Sequence, residues 1–480
     1  MEGTLILYGA GRRCRDLCRI LNDLAVRNVV IVDSNPDLAG REIEGNCVER
    51  PERINDYGDS SLCVTIADEA ENSSVRKKLV HEYGYHVNRI ISYNQVIIDA
   101  YANNKEIIQR IGGRKGCEAS SGRKTRIFDC HNGLVLGGVE VWTVDLCCAL
   151  IKQGDDDTYI LSDQGAYDVP ALLKGHILNA NIDHKALFTK ETILSLAEII
   201  RDKMPCQVIT SEVNEVMLAA WLVKRDYPDM VRVISVIHNS NETVYQQYME
   251  FSVCTDIYIA VSQEIQRDMI ARGIHPAKIY AMTCPFACDE RLERSYTQEE
   301  SMPLHIGYAG RMEHEQKRMD LFLRLAMELK ERHIGFVMEF AGDGTARPGM
   351  KKFAAGHKLG DNMKFLGRLE RSKIKDFWRR QDICVNLADY EGRSISIIEA
   401  MGNGAIPVVT ATSGVREDVT DGVNGYIVPL GDYNAAADRI AYLSRHRGEL
   451  KKMGKMAHDA VYPKSSMETH LRFWEKILAL

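Results

Sequence analysis

DICVNLADYEGRSISIIEAMGNGAIPVV, Asp382 to Val409, is the stretch on which the fold turns. DICVNLA reads as an apolar strand ending by Asp389, YEGRS as a short loop, SIIEAMGNG as a helix and IPVVTA as the next strand. Strands that are apolar nearly throughout suit a parallel sheet covered on both faces. Strand, loop, helix and strand in succession is the unit of such a sheet, and the alternation recurs along the whole chain. The fold class is therefore α/β.

A glycine-containing loop that opens a helix presents free backbone N–H groups and the positive end of the helix dipole, a setting phosphate commonly fills. Glu391 precedes this helix and Glu399 lies within it, so one carboxylate can reach a sugar and the other a ribose. A structural reading exists beside this one. Ser396-x-x-Glu399 has capping-box spacing, and Gly392, Ser396, Glu399 and Asn403 could form a solvated stripe.

A second constellation favours the anion site. After the strand HIGYAG come Arg311, a polar loop, and Lys317-Arg318 at the start of the helix MDLFLRLAMELKER. Cations at a helix N-terminus oppose the dipole at a cost of about 0.3–1 kcal/mol each when exposed, and a bound diphosphate removes that conflict. Glu313 and Glu315 offer the alternative of a neutralised surface cluster. Two further features are weaker alone. In LGGVE, Gly137 and Gly138 follow a strand and open a helix, which lets backbone approach a ligand or simply pack. His238 ends the strand RVISVIHN at a carboxyl edge, where a catalytic and a structural histidine are about equally expected.

The same pattern divides the chain. Residues 1–110 read as a small Rossmann-like domain with strands at Thr4–Tyr8, Asn28–Asp33 and Leu62–Ala67, a helix over Ser73–Tyr83, and a close near Asn104. GAGRRC supplies Gly9 and Gly11 of a dinucleotide turn, with Cys14 in the third glycine's place, and Asp33 is placed to meet a ribose; a structural domain is as well supported. Residues 111–124 read as a linker. A second α/β unit covers 125–300, ending in the polar, strandless RLERSYTQEES. A third covers 301–462, and 463–480 form an amphipathic helix with Leu471, Trp474, Ile477 and Leu478 on one face.

Composition excludes some functions. With 61 Lys+Arg against 67 Asp+Glu the formal charge is -6, so no global basic field gathers nucleic acid or an anionic membrane. The longest apolar runs are of strand length, and MEGTLILYGAGRR suits a first strand better than a secretory leader, so a cytoplasmic protein is expected. The 13 cysteines are scattered, and Cys63, Cys130 and Cys384 sit in apolar stretches as reduced core thiols. No metal site is expected. Cys14/Cys18 and Cys284/Cys288 lack a second pair, HEYGYH is one residue too long for HExxH, and the DxD within Asp155–Asp157 falls in a polar turn. Tyr101-x-x-x-Lys105 matches a dehydrogenase pair by chance.

These residues resemble the GT-B glycosyltransferases of family 4 from Thr125 to the carboxyl terminus. The matching pieces are GGVE, AVS at Ala260–Ser262, GIHPAKI, YAGRM with Lys317, AGDG, MKFLGRL, and Glu391-x7-Glu399 followed by EAMGNGAIPVV. The resemblance implies two Rossmann-like domains facing a cleft, and retaining transfer from a UDP- or GDP-sugar, without a metal or other cofactor. The acceptor implied is a saccharide or lipid-linked saccharide of bacterial surface polysaccharide. In that scheme Arg311 and Lys317 bind the diphosphate, Glu399 the ribose and Glu391 the donor sugar. Gly137 and Gly138 lie near the phosphate, Gly392, Arg393, Ser394 and Ile395 line the donor, and His238 lies near the reacting carbon. Peripheral contact with the inner face of the plasma membrane is implied as well. The family usually has EGFG where this chain has Glu391-Gly392-Arg393-Ser394, which puts Arg393 forward as a determinant of the sugar and keeps open a non-catalytic, scaffold alternative. Residues 1–105 resemble the amino-terminal domain of bacterial sugar acyltransferases through GAGRRC, VVIVDSN and GREIEG.

Overall fold

The structure is a computed structural model describing residues 3–58, 60–112, 124–130, 138–155, 157–163, 170–180, 182, 187–286 and 289–480. Gly137, Asp156, Cys288 and all but the ends of the 111–124 linker lie outside the described residues.

The apolar runs form three sheets. The first contains β1 (Leu5–Tyr8), β2 (Val29–Val32), β3 (Glu42–Ile43), β4 (Asn46–Glu49), β5 (Ser61–Val64) and β6 (Ile90–Ile91) in the order β3-β4-β2-β1-β5-β6. Its pairs are parallel except the β3–β4 hairpin. The second has β7 (Thr125–Cys130), β8 (Thr158–Ser162), β9 (Ile177–Asn179), β10 (Cys206–Thr210), β11 (Val231–Ile237), β12 (Ile257–Ala260) and β13 (Ile279–Ala281), ordered β13-β12-β11-β10-β7-β8-β9. The third has β14 (Leu304–Ala309), β15 (Phe336–Ala341), β16 (Met363–Gly367), β17 (Ile383–Asn386), β18 (Ile406–Thr410) and β19 (Tyr426–Val428), ordered β16-β15-β14-β17-β18-β19.

Counted from its own first strand, the third sheet runs 3-2-1-4-5-6, all parallel. This is the doubly wound order, in which the winding direction reverses between strands 1 and 4 and opens a crevice above their carboxyl ends. Here those strands are β14 and β17, paired Ile306 to Ile383 and Gly307 to Cys384. Leu304, Ile306, Met338, Phe340 and Val385 pack with Phe322, Leu325 and Leu329 of the helix Met319–Glu331, all buried. Each such side chain contributes roughly 1.5–3 kcal/mol, so the crevice stands on a rigid base.

The residues gather into two compact units: Met1–Leu134 with Asp157–Ser235 and Tyr245–Ile257, and Val135–Asp156 with Val236–Val244 and Tyr258–Leu480. In the first unit the chain does not close at Asn104. The Asn104 side chain accepts from the Ile107 N–H at 3.1 Å and so starts the helix Lys105–Gly112. That helix ends with the Arg110 and Ile111 carbonyls accepting from Arg201 at 3.2 and 2.9 Å. The Tyr101 hydroxyl donates to the Phe188 carbonyl at 2.6 Å, a structural use consistent with setting Tyr101-x-x-x-Lys105 aside.

In the second unit, RLERSYTQEES has no strand, as expected, yet it is fastened to the amino edge of the third sheet. Arg294 is buried, its guanidinium 4.1 Å over the Tyr296 ring and donating to the Asn403 carbonyl at 3.2 Å. The Thr297 hydroxyl donates to Asp382, just before β17, at 2.6 Å. The last helix, Met467–Ala479, buries Leu471, Trp474, Ile477 and Leu478 as its period requires. No described helix is long and apolar enough to cross a membrane.

Candidate functional site

The site grows from the loops above β14 and β17. Near the end of β14 the Tyr308 hydroxyl donates forward to the Arg311 carbonyl at 2.6 Å. The loop after β15 presses on the same turn: a Cβ on Gly342 would lie 1.9 Å from the Gly310 carbonyl oxygen, so only glycine fits. Arg318 adopts φ 51° and ψ 51°, the left-handed region that a side chain resists. Its guanidinium offsets that strain by bonding Asp389 at 2.9 and 3.1 Å and Asp320 at 3.0 Å twice. The reversal delivers the Lys317 ammonium to the Glu391 carboxylate. The two side chains are 14% and 10% exposed, so each is the other's partner in a setting largely closed to water. Arg311 is half exposed, donating to Gln316 at 3.2 Å with Glu313 3.5 Å away. The expected neutralising cluster is thus present only in its Arg311–Glu313 half.

The turn Glu391-Gly392-Arg393-Ser394 is clamped from several sides. The Ser240 hydroxyl donates to the Glu391 carbonyl at 2.9 Å. A Cβ on Gly392 would meet the His238 carbonyl oxygen at 1.9 Å. Arg393, expected to face the donor, points elsewhere. Its guanidinium forks onto Asp418 at 2.6 and 3.0 Å and reaches Glu417 at 3.5 Å, with its side chain 3% exposed. Both of its carboxylate partners sit in the short helix Val415–Asp418 after β18, so charge pairing wins over exposure to a ligand.

Ser394 stands at the N-cap of the helix Ile395–Gly402 but makes no side-chain cap bond. The alternative reading of Ser396 and Glu399 as a capping box is therefore not met. The helix starts a residue before Ser396, and the Glu399 carboxylate pairs with Arg371 instead. Among the described residues no side chain caps the first N–H groups of this helix, which favours an anion there. Gly138 comes up to this helix start, where an added Cβ would lie 3.7 Å from Ile395 Cδ1.

Arg371 and Asp145 are functional candidates that the sequence reading missed. Arg371 opens the helix Arg371–Arg379, pairs with Glu399, and holds Asp145 through Nε and Nη2 at 3.1 and 3.0 Å. Burial pushes the Glu399 carboxyl up, Arg371 pulls it back down, and the Asp145 charge raises it further.

His238 is half-buried, its Nε2 enclosed and, among the described residues, without a hydrogen-bond partner. Burial pushes its pKa down to about 3, so it is neutral at ordinary pH. Trp142, in the helix Gly138–Lys152, stands edge-on to it with ring centroids 5.0 Å apart. The Trp142 and Trp474 indoles donate to His470 Nε2 at 3.0 and 3.1 Å, and His470 Nδ1 lies 3.0 Å from the Thr283 carbonyl. Two donors at Nε2 fix the tautomer with the proton on Nδ1. The terminal helix is thereby tied to the helix that faces His238.

In the first sheet Asp33 is occupied locally, its two oxygens accepting the Ala10 and Asn35 N–H groups at 2.7 and 2.8 Å. Gly9 has φ 103° and Gly11 faces open space. Asp155 follows the helix Gly138–Lys152 in a turn, as expected for a polar loop.

Parallel sheets with helices, and a cation and carboxylate cluster at a switch point, are the features a GT-B glycosyltransferase fold has. The profile for glycosyl transferases group 1 matches residues 289–459, and that for Glycosyltransferase Family 4 matches 136–289. Over residues 136–459 the chain belongs to the GT-B glycosyltransferases of family 4. It is 21% identical over 278 residues to N-acetyl-alpha-D-glucosaminyl L-malate synthase of Bacillus anthracis, 54% of this chain and 71% of that protein. It is 24% identical over 245 residues to lipopolysaccharide 1,6-galactosyltransferase of Escherichia coli, 50% of this chain and 66% of that one. The crystal structure of Anabaena HepE in complex with UDP-glucose superposes with TM-score 0.60 at 16% identity, covering 75% of this chain and 100% of the other, and shares the fold.

Proposed function

We propose that this glycosyltransferase moves a sugar from a nucleotide-sugar donor to a saccharide or lipid-linked saccharide acceptor, with retention of configuration, in bacterial surface polysaccharide synthesis. The observation that carries the reading is the Lys317–Glu391 pair beside the uncapped start of the helix Ile395–Gly402, with Arg311 on the adjoining loop. Two cations and a helix N-terminus balance a diphosphate. Donor binding by Glu391, Gly392, Ser394 and Ile395, ribose binding by Glu399, and proximity of His238 to the reacting carbon belong to this proposal. UDP is the favoured nucleotide because the HepE structure carries UDP-glucose. A saccharide acceptor follows the name of the lipopolysaccharide galactosyltransferase.

The step balances as a displacement on one face. The acceptor hydroxyl oxygen bonds to the anomeric carbon, the bond from that carbon to the diphosphate oxygen breaks, and the acceptor proton passes to that departing oxygen. Arg311 and Lys317 stabilise the charge that develops there. No further cofactor enters this reading, and its setting is the cytoplasm, with peripheral contact at the inner face of the plasma membrane. The scaffold alternative rested on Arg393 and Ser394 filling the sugar-side turn; Arg393 is engaged by Asp418, and nothing favours that alternative.

The boundaries 1–110, 111–124, 125–300, 301–462 and 463–480 stand as part of the proposal, as does sugar-nucleotide binding by residues 1–110. The decisive experiment is product mass spectrometry on a panel of UDP-, GDP- and ADP-sugars with wild type, Arg311→Ala and Lys317→Ala. A turnover loss of about 10²–10³ in the variants is expected. Turnover unchanged in both would sink the assignment.

A further inference from the structure

We propose that Arg371 is a positioning residue of the donor site, bridging Asp145 to Glu399 so that the Glu399 carboxyl oxygens are held aimed at the ribose hydroxyls. The proposal rests on the reading of Glu399 as the ribose ligand.

Glu399 is 5% exposed, on a helix whose neighbours are mainly apolar: Ile397, Ile398, Ala400 and Met401 are all buried. A lone carboxyl so placed takes up a proton and becomes a donor with diminished capacity to accept. Ribose hydroxyls need an acceptor, and a carboxylate accepts about twice as strongly as a neutral group. Arg371 is the cation that touches Glu399, through Nη1 to Oε1. It is itself aimed from the other side, since Asp145 takes Nε and Nη2 of the same planar fork. A planar guanidinium fork fixes the directions of both carboxylates, where an ammonium on a flexible stem does not. Arg371 therefore acts on the nucleotide through Glu399, and Asp145 acts through Arg371.

A tie that merely joined helices would leave ribose selectivity untouched, and that distinguishes the two. Calorimetric Kd values are to be measured on the full chain for UDP and GDP and for their 2′-deoxy and 3′-deoxy forms. In wild type the nucleotide that binds should lose affinity tenfold or more when the hydroxyl facing Glu399 is removed. Arg371→Gln should bring that ratio close to one while ribonucleotide affinity falls, and Arg371→Lys should restore part of it. Asp145→Asn, a near-isosteric change at a partly exposed side chain, should lower the ratio partway and serves if Arg371→Gln does not fold. A wild-type ratio in both Arg371→Gln and Asp145→Asn overturns the proposal, as does a wild-type ratio in Asp145→Asn alone if Arg371→Gln is unfolded. A wild-type chain that binds neither diphosphate, or binds ribo and deoxy forms alike, overturns the reading of Glu399 itself.

Discussion

The His238 carbonyl oxygen occupies the space that any side chain at position 392 would need, since a Cβ on Gly392 would come within 1.9 Å of it. That atom belongs to backbone, so the clash cannot be relieved by a rotamer. Gly392→Ala must push the Glu391 turn away from the His238 segment by about an ångström. A displacement of that size near reacting groups costs on the order of 10²-fold in rate. The expected outcome is a folded protein with turnover down by that order, read from donor consumption and a thermal melt. An alanine variant with wild-type turnover would show that the two segments need not touch.

Arg393 should govern stability and leave sugar choice alone. Its fork on Asp418 has side chains 3% and 4% exposed, and removing one member of so buried a pair costs about 3–5 kcal/mol. Arg393→Met should lower the urea midpoint accordingly and leave the order of preference among donor sugars intact. A changed donor preference with unchanged stability would return Arg393 to the sugar side.

The contrast between Arg393 and Lys317 shows how far sequence carries. The three sheets, the terminal helix and the cluster of Lys317, Glu391, Gly392 and Gly138 were legible because apolar period and glycine-bearing strand-to-helix turns are local signals. The pairing of Arg393 was not legible because its partner Asp418 is 25 residues away in a separate short helix, and spacing alone does not show such pairing. Arg371 was missed although a signal was present. It opens a helix as Lys317-Arg318 do, and a cation opposing a helix dipole points to a nearby anion in both places. The anion at Arg371 is Glu399, so that reasoning applied evenly would have joined them. Asp33 was read for a ribose because its strand-end position is right, and only the geometry shows both oxygens given to backbone N–H groups.

His238, half-buried, and His470, buried, give the protein an acid-side weakness with a definite sign. Burial sets both His238 and His470 at about 3 in the folded chain against an ordinary value of 6.5. Their stabilising contribution is complete above about pH 6.5, where neither state binds the proton. As pH falls from there toward 3, the unfolded chain takes up protons that the native state refuses, and stability drops by about 1.4 kcal/mol per pH unit for each histidine. Urea titrations at pH 7.5, 6.0 and 5.0 should show this slope, flatter in His470→Gln. An identical pH dependence in that variant would contradict the burial of His470 as a neutral ring.

Lys317 and Glu391 separate stability from chemistry. Either single change, Lys317→Met or Glu391→Gln, affects a pair whose side chains are 14% and 10% exposed. Lys317→Met leaves a buried carboxylate without its cation, a loss of about 3–5 kcal/mol at full burial and less here, where some water reaches the pair. Replacing both by apolar residues of similar size removes the unpaired charge, so Lys317→Met with Glu391→Leu should be more stable than Lys317→Met alone. The coupling read from the double-mutant cycle should be well above the ~0.5 kcal/mol expected of independent sites. Turnover should not follow. The double variant regains fold stability yet has neither the cation for the departing diphosphate nor the carboxylate for the sugar, so its activity should stay at or below that of the worse single variant. Activity that recovered along with stability would make the pair a structural tie and move the chemistry to other residues.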